Sequence, residues 1–132
     1  LEKARSRAEA YHGQITLKQV DVHEMDFPDA SFDQVYSSCT FCSVPDPVKG
    51  LKALRRVLKP GGKLSMFEHT GSHYIPFNLM LNLMNPVCRI FGPEINRHTV
   101  SNVRAAGFTI DKVTNIYLDV VKTIEATVPI SA

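Results

Sequence analysis

The apolar positions of the chain change period several times, and each change marks an element. Residues 2–12, EKARSRAEAYH, are rich in helix formers and run into Gly13, a natural stop, so a short helix is predicted. In ITLKQVDV, residues 15–22, Ile15, Leu17, Val20 and Val22 are set among polar residues in the manner of a strand. HEMDFPDASF then reads as a loop, and FDQVYSS, 32–38, as a second strand. Asp46 is placed to cap a helix with Pro47 at its first position. Leu51, Leu54 and Leu58, with Val48 and Val57, make its apolar face, while Lys49, Lys52, Arg55, Arg56 and Lys59 stay in water. KPGG, 59–62, is expected to end that helix, and KLSMFEH, 63–69, to form the third strand.

Strand, helix, strand is a βαβ unit, whose right-handed crossover makes the second and third strands parallel neighbours. An uncharged stretch follows from His73 to Cys88, then HTVSNVRAAGF, a short helix closed by Gly107. The tail alternates as two strands joined near Leu118 and Asp119, a C-terminal antiparallel hairpin.

Composition narrows the class. The 132 residues suit one domain, and 44% hydrophobic with 21% charged residues describes a globular chain rather than a disordered one. A net charge of +2, with no basic block, argues against nucleic acid as a partner. Three cysteines, an odd number, fit free thiols in a reducing, cytoplasmic setting. Cys39 and Cys42 form a C-x-x-C, but no second ligand pair at suitable spacing accompanies it, and the following helix begins only at Pro47. Neither a metal site nor thioredoxin-like chemistry is therefore expected.

The second strand ends in Ser37, Ser38, Cys39 and Thr40, small residues at the end of a parallel strand where open α/β sheets hold ligands. Two readings stand: room for a ligand, or tight packing where strand becomes loop. Glu68 and His69 end the third strand; the histidine reads either as a base for a protonated acceptor or as a ring satisfied by a strand-end carbonyl.

VDVHEMDFPDASFDQVYSS, VPDPVKGLKALRRVLKPGGKL and FEH, in this order, resemble the Rossmann-like methyltransferases that use S-adenosylmethionine. The likeness is greatest to the type 11 branch, with its quinone-biosynthesis and phospholipid N-methyltransferases. TFCSVPDP and EINRHTVSNVRAAGF are also similar to membrane-associated thiol methyltransferases. The resemblance implies an α/β fold with a mostly parallel sheet ordered 3-2-1-4-5-7-6, finished by an antiparallel hairpin. It further implies that Asp21 accepts from the adenine amino group and that Val22 offers its N–H to the ring. The other reading of Asp21 is a cap on its own loop. Ser37, Ser38 and Cys39 match the segment beside the methionine part of the cofactor, with Phe41 as a wall. Glu68 and His69 match an acidic-His pair near the transferred methyl or the acceptor.

The family's first strand, its Gly-rich turn and the acidic end of its second strand have no counterpart here. None of the seven glycines forms a G-x-G. The expectation is an N-terminally truncated methyltransferase domain, inactive alone, with two open edges where the first strands are missing. The alternatives are a strand-exchanged dimer or a non-catalytic remnant that binds a partner through an open edge. A nucleotide-binding domain of other chemistry lacks a phosphate-cradling loop.

Residues 75–92, IPFNLMLNLMNPVCRIFG, place Asn78, Asn82, Asn85 and Arg89 four, three and four residues apart, a polar stripe on an otherwise apolar helix. Pro86 is expected to kink or end it. The run is too short to span a bilayer. It reads as a core helix, as a cover over a pocket for a small apolar or lipid acceptor, or as a peripheral membrane contact.

Overall fold

In the computed structural model, which describes residues 2–71, 74–90 and 97–130, the chain runs in the order α1 (Glu2–Glu9), β1 (Phe32–Ser38), α2 (Pro47–Val57), β2 (Leu58–His69), α3 (Ile75–Ile90), α4 (Thr99–Ala105), β3 (Thr109–Tyr117) and β4 (Val121–Thr127). The four strands form one sheet ordered β1-β2-β4-β3. This is the 4-5-7-6 part of the order implied by the resemblance. β1 and β2 are parallel, as the βαβ pattern requires, and the C-terminal hairpin inserts β4 antiparallel against β2. Asp46 caps α2 through a 2.9 Å bond from the Lys49 N–H, with Pro47 in the first turn. The hairpin turns at Leu118 and Asp119, both left-handed at φ 43 and 58°. There Asp119 meets Lys122 at 2.8 Å in a buried ion pair.

One expected strand is absent. Residues 15–22 join no sheet, and Ile15 and Leu17 stay 46% and 39% exposed. Their alternation suits a strand, but a strand exists only where a neighbour takes its N–H and C=O groups. Consequently only one of the three strand pairings among the described residues is parallel. The KPGG break also differs from expectation: α2 ends at Val57, and β2 already begins at Leu58. Gly61 and Gly62 make a bulge in β2, so the register steps from Phe32–Leu58 to Gln34–Lys63. Gly61 is left-handed, and a Cβ on Gly62 would lie 2.7 Å from the Lys59 carbonyl.

α2 and α4 pack on one face of the sheet. Leu51, Leu54, Leu64, Met66, Val103 and Ile124 fill the layer between. The opposite face carries no layer among the described residues. Tyr36, 76% exposed, and Phe67, 42%, stand there over a shallow depression of about 440 Å³ with Ser65, Thr123 and Glu125.

Lys63, Asp111 and Thr127 form a polar network across the strand pairing β2-β4-β3, with Lys63 Nζ 3.1 Å from Asp111 and 2.7 Å from the Thr127 hydroxyl. The Thr127 hydroxyl first, and Lys63 second, hold the Asp111 carboxyl below its ordinary value. A carboxyl depressed by folding contributes stability above its unfolded value, near pH 4 for aspartate, and loses it as pH falls through the lower folded value. Asp111→Asn is therefore expected to flatten the decline of stability below about pH 4. Urea melts at several pH values check this; the group is partly exposed, so the effect is small.

Candidate functional site

The carboxyl ends of β1 and β2 are joined by one side chain. Glu68 is fully buried, and its Oε1 accepts from the Ser37 hydroxyl at 3.0 Å and from the N–H groups of Thr40 and Phe41 at 3.1 and 3.3 Å. The Cys39 N–H donates to the Phe67 carbonyl at 2.8 Å, and Cys39 itself is left-handed at φ 48°. A non-glycine residue holds that conformation only where its surroundings over-determine it. Here the strand bond before the turn and the carboxylate after it do so. Glu68 thus shapes the loop that closes β1, a positioning role visible in its partners.

Alternation along the strand separates the expected Glu68–His69 pair. Consecutive strand residues face opposite sides. Glu68 follows the buried set Leu64 and Met66 into the helical layer, whereas His69 follows Ser65 and Phe67 on the open face. Glu68 Oε2 and His69 Nδ1 are each buried with no hydrogen-bond partner among the described residues. Ser37 is committed to Glu68, leaving Ser38 and Cys39 exposed at the strand end. Phe41, read as a cofactor wall, is instead 1% exposed and belongs to the core. The backbone turn that starts at Cys39 sends it inward.

Asp21 and Val22 lie in a turn that the fold carries to the same end of the sheet. Asp21 Oδ1 accepts from the His23 N–H at 2.8 Å and lies 3.2 Å from His23 Nδ1, so the loop-cap reading holds geometrically. Its carboxylate is nonetheless 65% exposed, and Oδ2 has no partner among the described residues. His23 Nε2 reaches the Asp46 carbonyl at 2.9 Å, pinning the turn to the start of α2. Val22 packs where a Cβ on Gly50 would come within 3.2 Å. His23 and Gly50 were missed as positioning residues; an apolar helix face interrupted by a glycine was the available signal for the second.

Residues 1–66 match the family described as methyltransferase domain, which is half of the chain. The chain belongs to the methyltransferase-domain family. Its curated relatives include a ubiquinone/menaquinone biosynthesis C-methyltransferase of Geotalea daltonii, 32% identical over 58% of this chain and 33% of the relative. Another is cycloartenol-C-24-methyltransferase 1 of Oryza sativa subsp. japonica, 36% identical over 58% of this chain and 22% of the relative. The match thus spans a third or less of these relatives' length. Among solved structures, a putative methyltransferase of Bacillus halodurans superposes with a TM-score of 0.79 at 16% identity, over 97% of this chain and 78% of that one. An S-adenosylmethionine-dependent methyltransferase of Methanosarcina mazei gives 0.74 at 20% identity, over 98% and 77%. At these identities the structures establish the fold.

The cofactor of this family is S-adenosylmethionine. In the methyltransferase domain seen here, the exposed Asp21 Oδ2 suits an exocyclic amine, and Ser38 and Cys39 leave the strand end uncrowded. The residues present fit the adenine side and the floor of such a site.

Proposed function

We propose that these residues form the adenine-side and acceptor-side part of an S-adenosylmethionine-dependent methyltransferase acting on a small apolar, lipid-like acceptor. The observation that carries the reading is the meeting, at one end of the sheet, of the Asp21–His23 turn with the loop that Glu68 folds after β1. When bound, the cofactor supplies an electrophilic methyl group, displaced in line by an acceptor nucleophile. The chain's own contribution is alignment, the main source of acceleration for such a step. Asp21 and the Val22 N–H hold the adenine, while Ser38 and Cys39 leave space for the methionine portion. Glu68 keeps their loop in shape, and His69 accepts a proton from the acceptor. The Gly-rich turn that would wrap the methionine end is supplied by polypeptide outside these residues, so this segment by itself is inactive. Three unpaired thiols, Cys39, Cys42 and Cys88, favour a reducing, cytoplasmic setting.

The apolar acceptor is supported by α3, whose side chains are mostly apolar and which leaves β2 at the same end as His69. Met80 and Met84 suit a cover over a flexible substrate. The relatives named for quinone and sterol methylation point the same way. Residues 91 and 92 of the expected cover lie outside the described residues. A second reading, a partner-binding remnant or strand-exchanged dimer, draws on the unpaired outer edge of β1. Gel filtration separates the two: a stable dimer or hetero-complex favours the second.

Asp21→Ala in the parent polypeptide is expected to weaken S-adenosylmethionine binding about tenfold, the loss of one charge-assisted hydrogen bond. Calorimetric titration measures it, and unchanged affinity defeats the adenine assignment.

A further inference from the structure

The thiols of the C-x-x-C have no assigned part in methyl transfer, yet the fold brings the two residues together. Cys39 follows β1, exposed and left-handed at φ 48°, a conformation that bends the chain back. The Thr40 carbonyl then accepts from the Ser43 N–H at 3.0 Å, closing a turn around Cys42. Cys42 is 7% exposed, and its thiol donates to the Cys39 carbonyl at 3.4 Å. The inner thiol thus lies over the backbone of the outer residue. The two residues between them are fixed as well, because Thr40 and Phe41 donate their N–H groups to Glu68 Oε1. Cys88 lies elsewhere, on α3, which runs through Pro86 to Ile90. It belongs to the segment tied at its base by a 2.8 Å bond from the Gly71 N–H to the Arg97 carbonyl, beside the end of β2.

We propose that Cys39 and Cys42 are a peroxide-oxidised pair that closes a reversible disulfide at the end of β1. The division of roles follows from burial. Cys39, open to solvent, meets the oxidant, and the sheltered Cys42 resolves it. In the first step the Cys39 sulfur, as thiolate, attacks one oxygen of hydrogen peroxide; the O–O bond breaks, and the departing hydroxide takes up the thiol proton and leaves as water. In the second, the Cys42 sulfur attacks the sulfur of the Cys39 sulfenic acid. The S–O bond breaks, and the hydroxyl leaves with the Cys42 proton as a second water. The two thiols lose two electrons, which the peroxide accepts. An exposed side chain changes rotamer within nanoseconds, so the Cys39 sulfur can turn to the thiol that already lies over its carbonyl. This is not thioredoxin-like exchange, because α2 begins only at Pro47 and no helix terminus stands behind either sulfur. The closed ring encloses Thr40 and Phe41, so oxidation acts on the loop that Glu68 shapes. The pair is independent of the methyl-transfer reading, and its test uses neither cofactor nor acceptor.

The chain, reduced and then exposed to a small molar excess of hydrogen peroxide, is expected to go from three free thiols to one, and dithiothreitol to restore all three. Trypsin leaves both cysteines in the fragment 19–49, which should become about 2 Da lighter, the mass of the two hydrogens lost. Cys88→Ser should leave that change intact. Cys42→Ser should stop at a Cys39 sulfenic acid, captured by dimedone, whereas Cys39→Ser should slow the oxidation of Cys42 at least about tenfold. Three thiols surviving peroxide, oxidation running on to sulfinic acid with no disulfide, or a disulfide that includes Cys88 or joins two chains overturns the proposal. So does a Cys39→Ser variant whose Cys42 is oxidised at the original rate.

Discussion

Glu68→Ala is expected to cost the domain about 2–4 kcal/mol, because it strips three donors of their acceptor at once. The Ser37 hydroxyl and the N–H groups of Thr40 and Phe41 all donate to Glu68 Oε1, and the glutamate and Phe41 are themselves buried. Nothing else among the described residues is placed to accept from them, and an unsatisfied buried donor is more costly than a bond never made. In a domain of this size the melting temperature should fall by roughly 10 °C. Glu68→Gln is the informative partner. Its carbonyl oxygen retains the acceptor position, so most of the stability returns. If the role is to hold the loop, methyl transfer in the parent polypeptide survives Glu68→Gln nearly intact. A glutamine variant that is stable yet inactive would instead assign the carboxyl to proton chemistry.

His69→Ala is expected to lower turnover in the parent polypeptide by about a hundredfold or more, the usual contribution of a positioned base. Cofactor affinity should hardly change, because the ring lies on the open face of β2, apart from the Asp21 turn and the loop bound to Glu68. His69 Nδ1 is buried with no partner among the described residues, an arrangement that a merely structural histidine would avoid. Single-turnover rates across pH, with calorimetry on the same variant, separate the two effects. Wild-type rates at every pH would leave His69 as a packing residue.

What sequence could disclose here followed the range of the forces involved. The start of α2 was legible because Asp46 and Pro47 act within one turn. The hairpin was legible because alternation continues on both sides of Leu118. Strand formation by 15–22 was not, since its pattern states only what the segment suits and pairing depends on a partner far along the chain. The end of α2 misled for a related reason: Gly61 and Gly62 look like a helix stop, yet they serve the bulge that lets β2 meet β1 and β4. At the site, Ser37 and Glu68, singled out separately in the sequence, meet through one hydrogen bond. Their division of labour depends on which face of the sheet each side chain takes. Strict alternation contained that for Glu68 and His69, whereas the inward turn at Cys39 that buries Phe41 had no local signal.

The tie between Gly71 and Arg97 gives the segment it brackets a freedom the rest of the domain lacks. Chain departs and re-enters at one spot, so lengthening, shortening or exchanging what lies between leaves the register of β2 against β4 alone. A scaffold so tied can trade the bracketed segment as a cassette without refolding its foundations.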